Sequence, residues 1–173
     1  MNLEKIEFLP LDKTYHLVQG FSCGNSMIDT YIKLSSNAIY DHKMGISSTT
    51  TLIYENEITA YFTANCAHLE IPVEEAREIG LMDSFYIPAI EVKYIGVKDK
   101  YQKKGIGSLL LKFIVGKALE ITPFFTCRYI FLWAVEDAIE FYQKRYFKLT
   151  GKEEDGLYLM KFLVPTYPIE EEI

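Results

Sequence analysis

The chain has 173 residues, of which 49% are hydrophobic and 14% aromatic. That is enough apolar material for one ordinary core, and it argues against wholesale disorder. A net charge of −6 argues against a protein that holds nucleic acid non-specifically, while a local basic patch stays compatible with RNA. The N-terminus, MNLEKIEFLPLDK, carries acidic residues and no long apolar run, so it does not read as a signal peptide. No stretch approaches the roughly 20 apolar residues of a membrane span.

The elements follow in chain order. Ile6–Leu11 reads as a first strand. From Asn25 to about His42 the positions Ile28, Tyr31, Ile32, Ser35, Ala38 and Ile39 keep the three-and-four spacing of one buried helix face. Ser26 and Asp29, with Gly24 before them, form a start signal. Ser48–Tyr54 and Ile58–Leu69 are rich in Thr, Ile, Tyr and Phe. The turn Glu55-Asn56-Glu57 separates them, which predicts an antiparallel hairpin. Pro72–Met82 suits a short helix and a loop, and Ile87–Val97 a strand. After the charged turn Lys98–Lys104, Gly105–Ile121 sets Ile106, Leu109, Leu110, Phe113 and Ile114 on one side of an amphipathic helix. Tyr129–Val135 is a strongly apolar strand. Glu136–Arg145 suits a helix with an acidic first turn. Short strands near Tyr146–Thr150 and Leu157–Val164 finish the chain. Strands and helices mix without strict alternation, which favours an α+β sandwich over a doubly wound sheet. One domain over 1–167 is expected, with a short acidic tail at Pro168–Ile173.

The three cysteines, Cys23, Cys66 and Cys127, are odd in number and form no CxxC pair. They read as reduced, partly buried thiols of a cytoplasmic protein. Cys66 and His68 share a strand face, but no second ligand pair accompanies them, so no metal is expected.

The most informative segment runs from Glu91 to Gly107: a strand, a basic turn and a glycine-flanked helix start. Free N–H groups at a helix N-terminus carry partial positive charge and can hold an anion. Gly105 and Gly107 let the backbone approach a ligand. Lys98, Lys100, Lys103 and Lys104 add cationic charge, so a pyrophosphate is the natural occupant. The segment is neither a Walker loop nor a Rossmann fingerprint.

Gln102-Lys103-Lys104-Gly105-Ile106-Gly107 matches Q/R-x-x-G-x-G/A, with an apolar strand upstream and an amphipathic helix downstream. It resembles the coenzyme A pyrophosphate loop of the GNAT acyltransferase family. The resemblance implies a three-layer α/β/α-type sandwich around a mixed, mostly antiparallel sheet, the acyl-CoA N-acyltransferase fold. It implies acetyl-CoA as co-substrate, with the backbone of Gln102, Lys103, Lys104, Gly105, Ile106, Gly107 and Ser108 on the pyrophosphate. The main chain of Ile95, Gly96 and Val97 would follow the pantetheine arm.

Ala138-Ile-Glu-Phe141-Tyr142-Gln-Lys-Arg-Tyr-Phe147 resembles the family's A-x-x-F-Y-x-x-x-G-F segment, with Tyr146 where the glycine is expected and Val135 where an asparagine is frequent. The resemblance gives Tyr142 the role of protonating the departing thiolate, a role a phenol suits at neutral pH. Glu91, eleven residues before Gln102, matches in spacing the general-base glutamate of histone-type relatives; water is the alternative base. Cys66 and Cys127 have no paired histidine nearby in sequence, so an acyl-enzyme is less favoured than direct transfer.

Phe21-Ser-Cys23-Gly24-Asn-Ser-Met-Ile28-Asp29-Thr-Tyr31-Ile32 resembles the opening of GNAT toxins from bacterial toxin–antitoxin pairs. It implies the α-amine of aminoacyl-tRNA as acceptor and a small antitoxin as partner. The alternatives are another primary amine, or a module that binds acetyl-CoA or a partner without turnover. A homodimer is compatible with each.

Overall fold

The computed structural model describes residues 5–82 and 85–165; the tail expected at Pro168–Ile173 lies outside the described residues. The strands are β1 (Glu7–Pro10), β2 (Ser48–Tyr54), β3 (Glu57–Glu70), β4 (Tyr86–Val97), β5 (Tyr129–Val135), β6 (Lys148–Glu154) and β7 (Leu157–Leu163). The helices are α1 (Leu11–Thr14), α2 (Ser26–Lys33), α3 (Ala38–Lys43), α4 (Val73–Glu78), α5 (Ile106–Ile121) and α6 (Glu136–Gln143). The seven strands are hydrogen-bonded in the order β1-β2-β3-β4-β5-β7-β6, and the expected α+β class is what the structure has. The chain divides into two compact units, Met1–Asn65 with Val92–Ile114 and Cys66–Glu91 with Val115–Ile173.

In the first unit β1 pairs antiparallel with β2, and β2 with β3. The β2–β3 connection is tighter than the expected three-residue turn, because Glu57 already belongs to β3. Glu55 and Asn56 both take positive φ, 51° and 60°, the two-residue turn whose twist matches antiparallel strands. The core gathers Leu11, Val18, Phe21, Ile32, Ile39, Ile58 and Tyr61, all nearly inaccessible to solvent. Tyr61 has its hydroxyl satisfied by the Ile28 carbonyl at 2.7 Å.

The single helix expected over residues 25–42 is two helices. Leu34 turns extended, with ψ of 133°. Ser35, Ser36 and Asn37 follow, and such side chains compete with helical backbone bonds. The buried face survives the break, since Tyr31, Ile32, Ala38 and Ile39 are all buried; Ser35, assigned to that face, is exposed. The cap of α2 is Asn25 rather than Ser26: its side chain accepts from the N–H groups of Met27 and Ile28 at 3.0 and 3.2 Å, satisfying two donors that the first turn leaves unpaired.

In the second unit β5 pairs antiparallel with β7, and β7 with β6. β5 is buried at most positions, as expected of a strand covered on both faces. Its side chains Tyr129 and Phe131 pack with Leu69, Ile71, Ile87, Ala89 and Leu159. Of the thiols, Cys127 is buried and Cys23 half-buried, but Cys66 is exposed, against the expectation of partial burial. No helix among the described residues is long and apolar enough to cross a membrane.

The end of α6 resolves the departure at Tyr146. The Phe147 N–H reaches the Tyr142 carbonyl at 3.2 Å, and the Tyr146 N–H reaches that of Gln143 at 3.0 Å. This is a Schellman closure, and it requires left-handed backbone at the residue between. Tyr146 supplies it with φ of 67°, although glycine is the residue that does so without steric cost. Phe147 packs edge-on against Tyr142 with ring centroids 5.7 Å apart, the apolar contact that accompanies such a cap. The tyrosine therefore keeps the geometry of the missing glycine under strain, and its ring, 82% exposed, offsets little by burial. Tyr146→Gly is expected to raise stability by about 0.5–1 kcal/mol, the left-handed cost less glycine's extra chain entropy. Urea unfolding checks this; a loss of stability would show that the ring contributes packing that outweighs the strain.

Candidate active site

The basic turn is built as its residues dictate. β4 ends at Val97, Asp99–Tyr101 form one turn of 3-10 helix, and α5 begins at Ile106. Lys103 and Gly105 both have positive φ, 58° and 86°. The Leu109 N–H closes the first helical bond on the Gly105 carbonyl at 3.1 Å, so the N–H groups just before it have no acceptor within the helix. A Cβ built on Gly105 meets nothing within 4 Å. The glycine is thus required by its φ, and the space beside it is open for a ligand to approach the backbone. Lys103 and Lys104 are exposed, Ile106 is buried beneath the turn, and Gly107 and Ser108 are half-buried.

The Gln102 side chain turns inward onto the protein. Its amide Nε2 donates to the Val97 carbonyl at 3.0 Å, to the Cys23 carbonyl at 2.9 Å and to Asp99 Oδ1 at 3.2 Å. The Asp99 N–H donates to the Ser22 carbonyl at 3.0 Å. One amide therefore joins the end of β4, the basic turn and the segment ahead of α2. Gly96 serves packing: a Cβ there would stand 2.9 Å from Ile28 Cγ2 and 3.2 Å from the Phe21 ring, closer than side-chain carbons come. Ile95 and Val97 flank it, half-buried.

Two of the four lysines expected to face an anion are engaged elsewhere. Lys98 Nζ lies 2.6 Å from Glu57 Oε2, and Lys100 pairs with Glu57 Oε1. Tyr101 donates its hydroxyl to Glu57 Oε1 at 2.6 Å. Burial alone would raise the Glu57 pKa, but the hydrogen bonds from Lys100, Lys98 and Tyr101 outweigh it and hold the pKa at about 2. Among the described residues Lys103 and Lys104 form no ion pair, so they are the cations left at the turn. The sequence gives no local sign of the Glu57 partnership, because its members lie more than forty residues apart.

The two residues with expected chemical roles both lie in the second unit. Tyr142, on α6, is 6% exposed. Among the described residues no group bonds its hydroxyl. Burial pushes its pKa up to about 12 against the opposing charge of Arg145, so it carries its proton at neutral pH. Glu91 is half-buried on β4. Ile87 and Ala89 are buried before it and Val92 and Gly96 after it, so the period-two burial slips by one residue there, as a strand with an extra residue does. Burial pushes the Cys23 thiol up to about 11 and raises Cys127 as well, so neither is a ready thiolate nucleophile. Among the described residues no group of three or more metal-ligating side chains occurs.

The Acetyltransferase (GNAT) domain profile matches residues 52–149. The chain therefore belongs to the GNAT acetyltransferase family, and it is an N-acetyltransferase that uses acetyl-CoA. No curated protein matches it significantly in sequence. Its fold is shared with solved structures over nearly the whole of both chains. A bacterial toxin superposes with a TM-score of 0.80 at 22% identity, covering 92% of this chain and 90% of that one. A tyrosine-to-phenylalanine mutant of KacT gives 0.79 at 16% identity, over 92% and 95%. AtaT complexed with acetyl-methionyl-tRNAfMet gives 0.76 at 15% identity, over 89% and 93%.

The Glu57 cluster makes a pH prediction. A carboxylate held below its ordinary value of 4.5 contributes stability above that pH and loses it as the pH falls toward the folded value of about 2. The stability difference between wild type and Glu57→Gln is expected to be constant above pH 5 and to shrink between pH 4.5 and 2. Denaturant unfolding across that range measures it; a difference unchanged down to pH 2 would show that the carboxylate gains nothing from its three donors.

Proposed function

We propose that this chain acetylates the α-amine of aminoacyl-tRNA in the cytoplasm, by direct transfer from acetyl-CoA. The backbone of Gln102–Ser108 holds the pyrophosphate, and the main chain of Ile95, Gly96 and Val97 borders the pantetheine arm. The amine nitrogen attacks the thioester carbonyl, the C–S bond breaks, and the amine proton passes to Glu91 or to water. Tyr142 donates to the sulfur as negative charge develops there.

The observation that carries the reading is Tyr142: a buried phenol on α6 that keeps its proton at neutral pH. A phenol in this state can donate to a substrate sulfur as negative charge develops there. The likeness to KacT, solved as a tyrosine-to-phenylalanine mutant, and to AtaT, solved with acetyl-methionyl-tRNAfMet, supports this acid and this acceptor. An antitoxin is the corresponding protein partner, since AtaT is also solved with the C-terminus of AtaR. With a net charge of −6, the attraction to tRNA rests on local cations, so activity on tRNA should fall steeply with added salt.

Labelled acetyl-CoA incubated with the chain and a panel of aminoacyl-tRNAs is expected to give N-acetylaminoacyl-tRNA. Tyr142→Phe is expected to lower turnover by roughly a hundredfold or more with acetyl-CoA affinity unchanged. Label transferred only to small amines or proteins would discard tRNA as the acceptor. Equal loss of affinity and turnover would make Tyr142 structural.

A further inference from the structure

The segment Phe21–Ile32 includes a charged residue that the chemistry above does not use. Asp29 lies in the first turn of α2, and both of its carboxylate oxygens are engaged. Oδ1 accepts the Cys23 N–H at 2.8 Å, and Oδ2 accepts the Ser22 hydroxyl at 2.9 Å. The carbonyls of these same two residues receive the basic turn: Ser22 takes the Asp99 N–H at 3.0 Å and Cys23 takes Gln102 Nε2 at 2.9 Å. The carboxylate thus fixes the donor side of a two-residue segment whose acceptor side holds the turn.

α2 is itself firmly held. The residue before Asp29, Ile28, fills the space a Cβ at Gly96 would need, and its carbonyl takes the hydroxyl of the fully buried Tyr61. The charge on Asp29 is maintained: burial raises its pKa, and the hydrogen bonds from Cys23 and Ser22 with the nearby Lys33 bring it below the usual carboxylate value.

We propose that Asp29 is a positioning residue for acetyl-CoA, fixing the Ser22–Cys23 carbonyls so that Asp99 and Gln102 shape the turn before the ligand arrives. Preorganisation of this kind acts on affinity rather than on the chemical step. The proposal rests on the turn holding the coenzyme.

The test measures acetyl-CoA affinity by calorimetry, turnover at saturating acetyl-CoA, and amide hydrogen exchange over residues 99–107 without ligand. Asp29→Ala is expected to weaken affinity about tenfold, the equivalent of one charge-assisted hydrogen bond, and to leave saturated turnover within about twofold. Exchange over 99–107 should rise. Asp29→Asn keeps an oxygen for the Cys23 N–H and is expected to recover most of the affinity. Affinity of Asp29→Ala within about twofold of wild type, or lost turnover at unchanged affinity, would overturn the proposal. If Asp29→Ala does not fold, Ser22→Ala, which removes one of the two donors, takes its place; unchanged affinity and unchanged exchange there would equally overturn it. If the wild type fails to bind acetyl-CoA, the coenzyme assignment of the turn falls. The exchange data then still judge whether Asp29 holds the turn.

Discussion

One side-chain amide holds the basic turn to the rest of its unit. Gln102 is the point where the end of β4, the basic turn and the residues ahead of α2 meet, through bonds of 2.9–3.2 Å. Under the proposed function the turn gives its N–H groups to an anion, apart from that of Gln102, which donates to the Asp99 carbonyl at 3.2 Å. It therefore needs side-chain bonds from elsewhere to keep its shape, and an amide that contacts three carbonyl-type oxygens suits that role. Gly96 lets α2 approach β4, Asn25 starts α2, and Asp29 ties α2 to Ser22 and Cys23. Much of the N-terminal motif is thus explained by what the turn requires.

Charge at the turn is more economical than its lysine content suggests. Lys98 and Lys100 share Glu57 with Tyr101, which leaves Lys103 and Lys104 as the cations beside the glycines. In a chain with net charge −6, the proposed function thus rests on shaped backbone donors with two lysines rather than on a broad positive field.

Most elements were legible in the sequence because their signals are local. The apolar run of Tyr129–Val135 coincides with β5, and the amphipathic spacing after Gly105 with α5. The backbone shape of the turn was legible for the same reason: glycine placement and the strand–turn–helix context are short-range properties. What escaped is partly local and partly long-range. Residue spacing marked the buried face of residues 25–42, yet the break at Leu34–Asn37 depends on local competition by Ser35, Ser36 and Asn37 that periodicity does not register. Glu57 and Gln102 reach partners across 41 to 79 residues, where no pattern along the chain points to them. Asn25 was recoverable, since asparagine before a helix start is a strong cap; the adjacent Ser26 masked it. At Tyr146 the family pattern carries more information than the residue: the backbone keeps the shape a glycine would take, with φ of 67°.

The measurement that bears most directly on this account is calorimetric titration of acetyl-CoA into wild type and Gln102→Ala, each first shown to be folded by circular dichroism. The account predicts that wild type binds and that Gln102→Ala binds about tenfold or more weakly, since truncation removes bonds to two carbonyls at once. Equal affinity in the two proteins would contradict it, because the turn would then hold its shape without the amide.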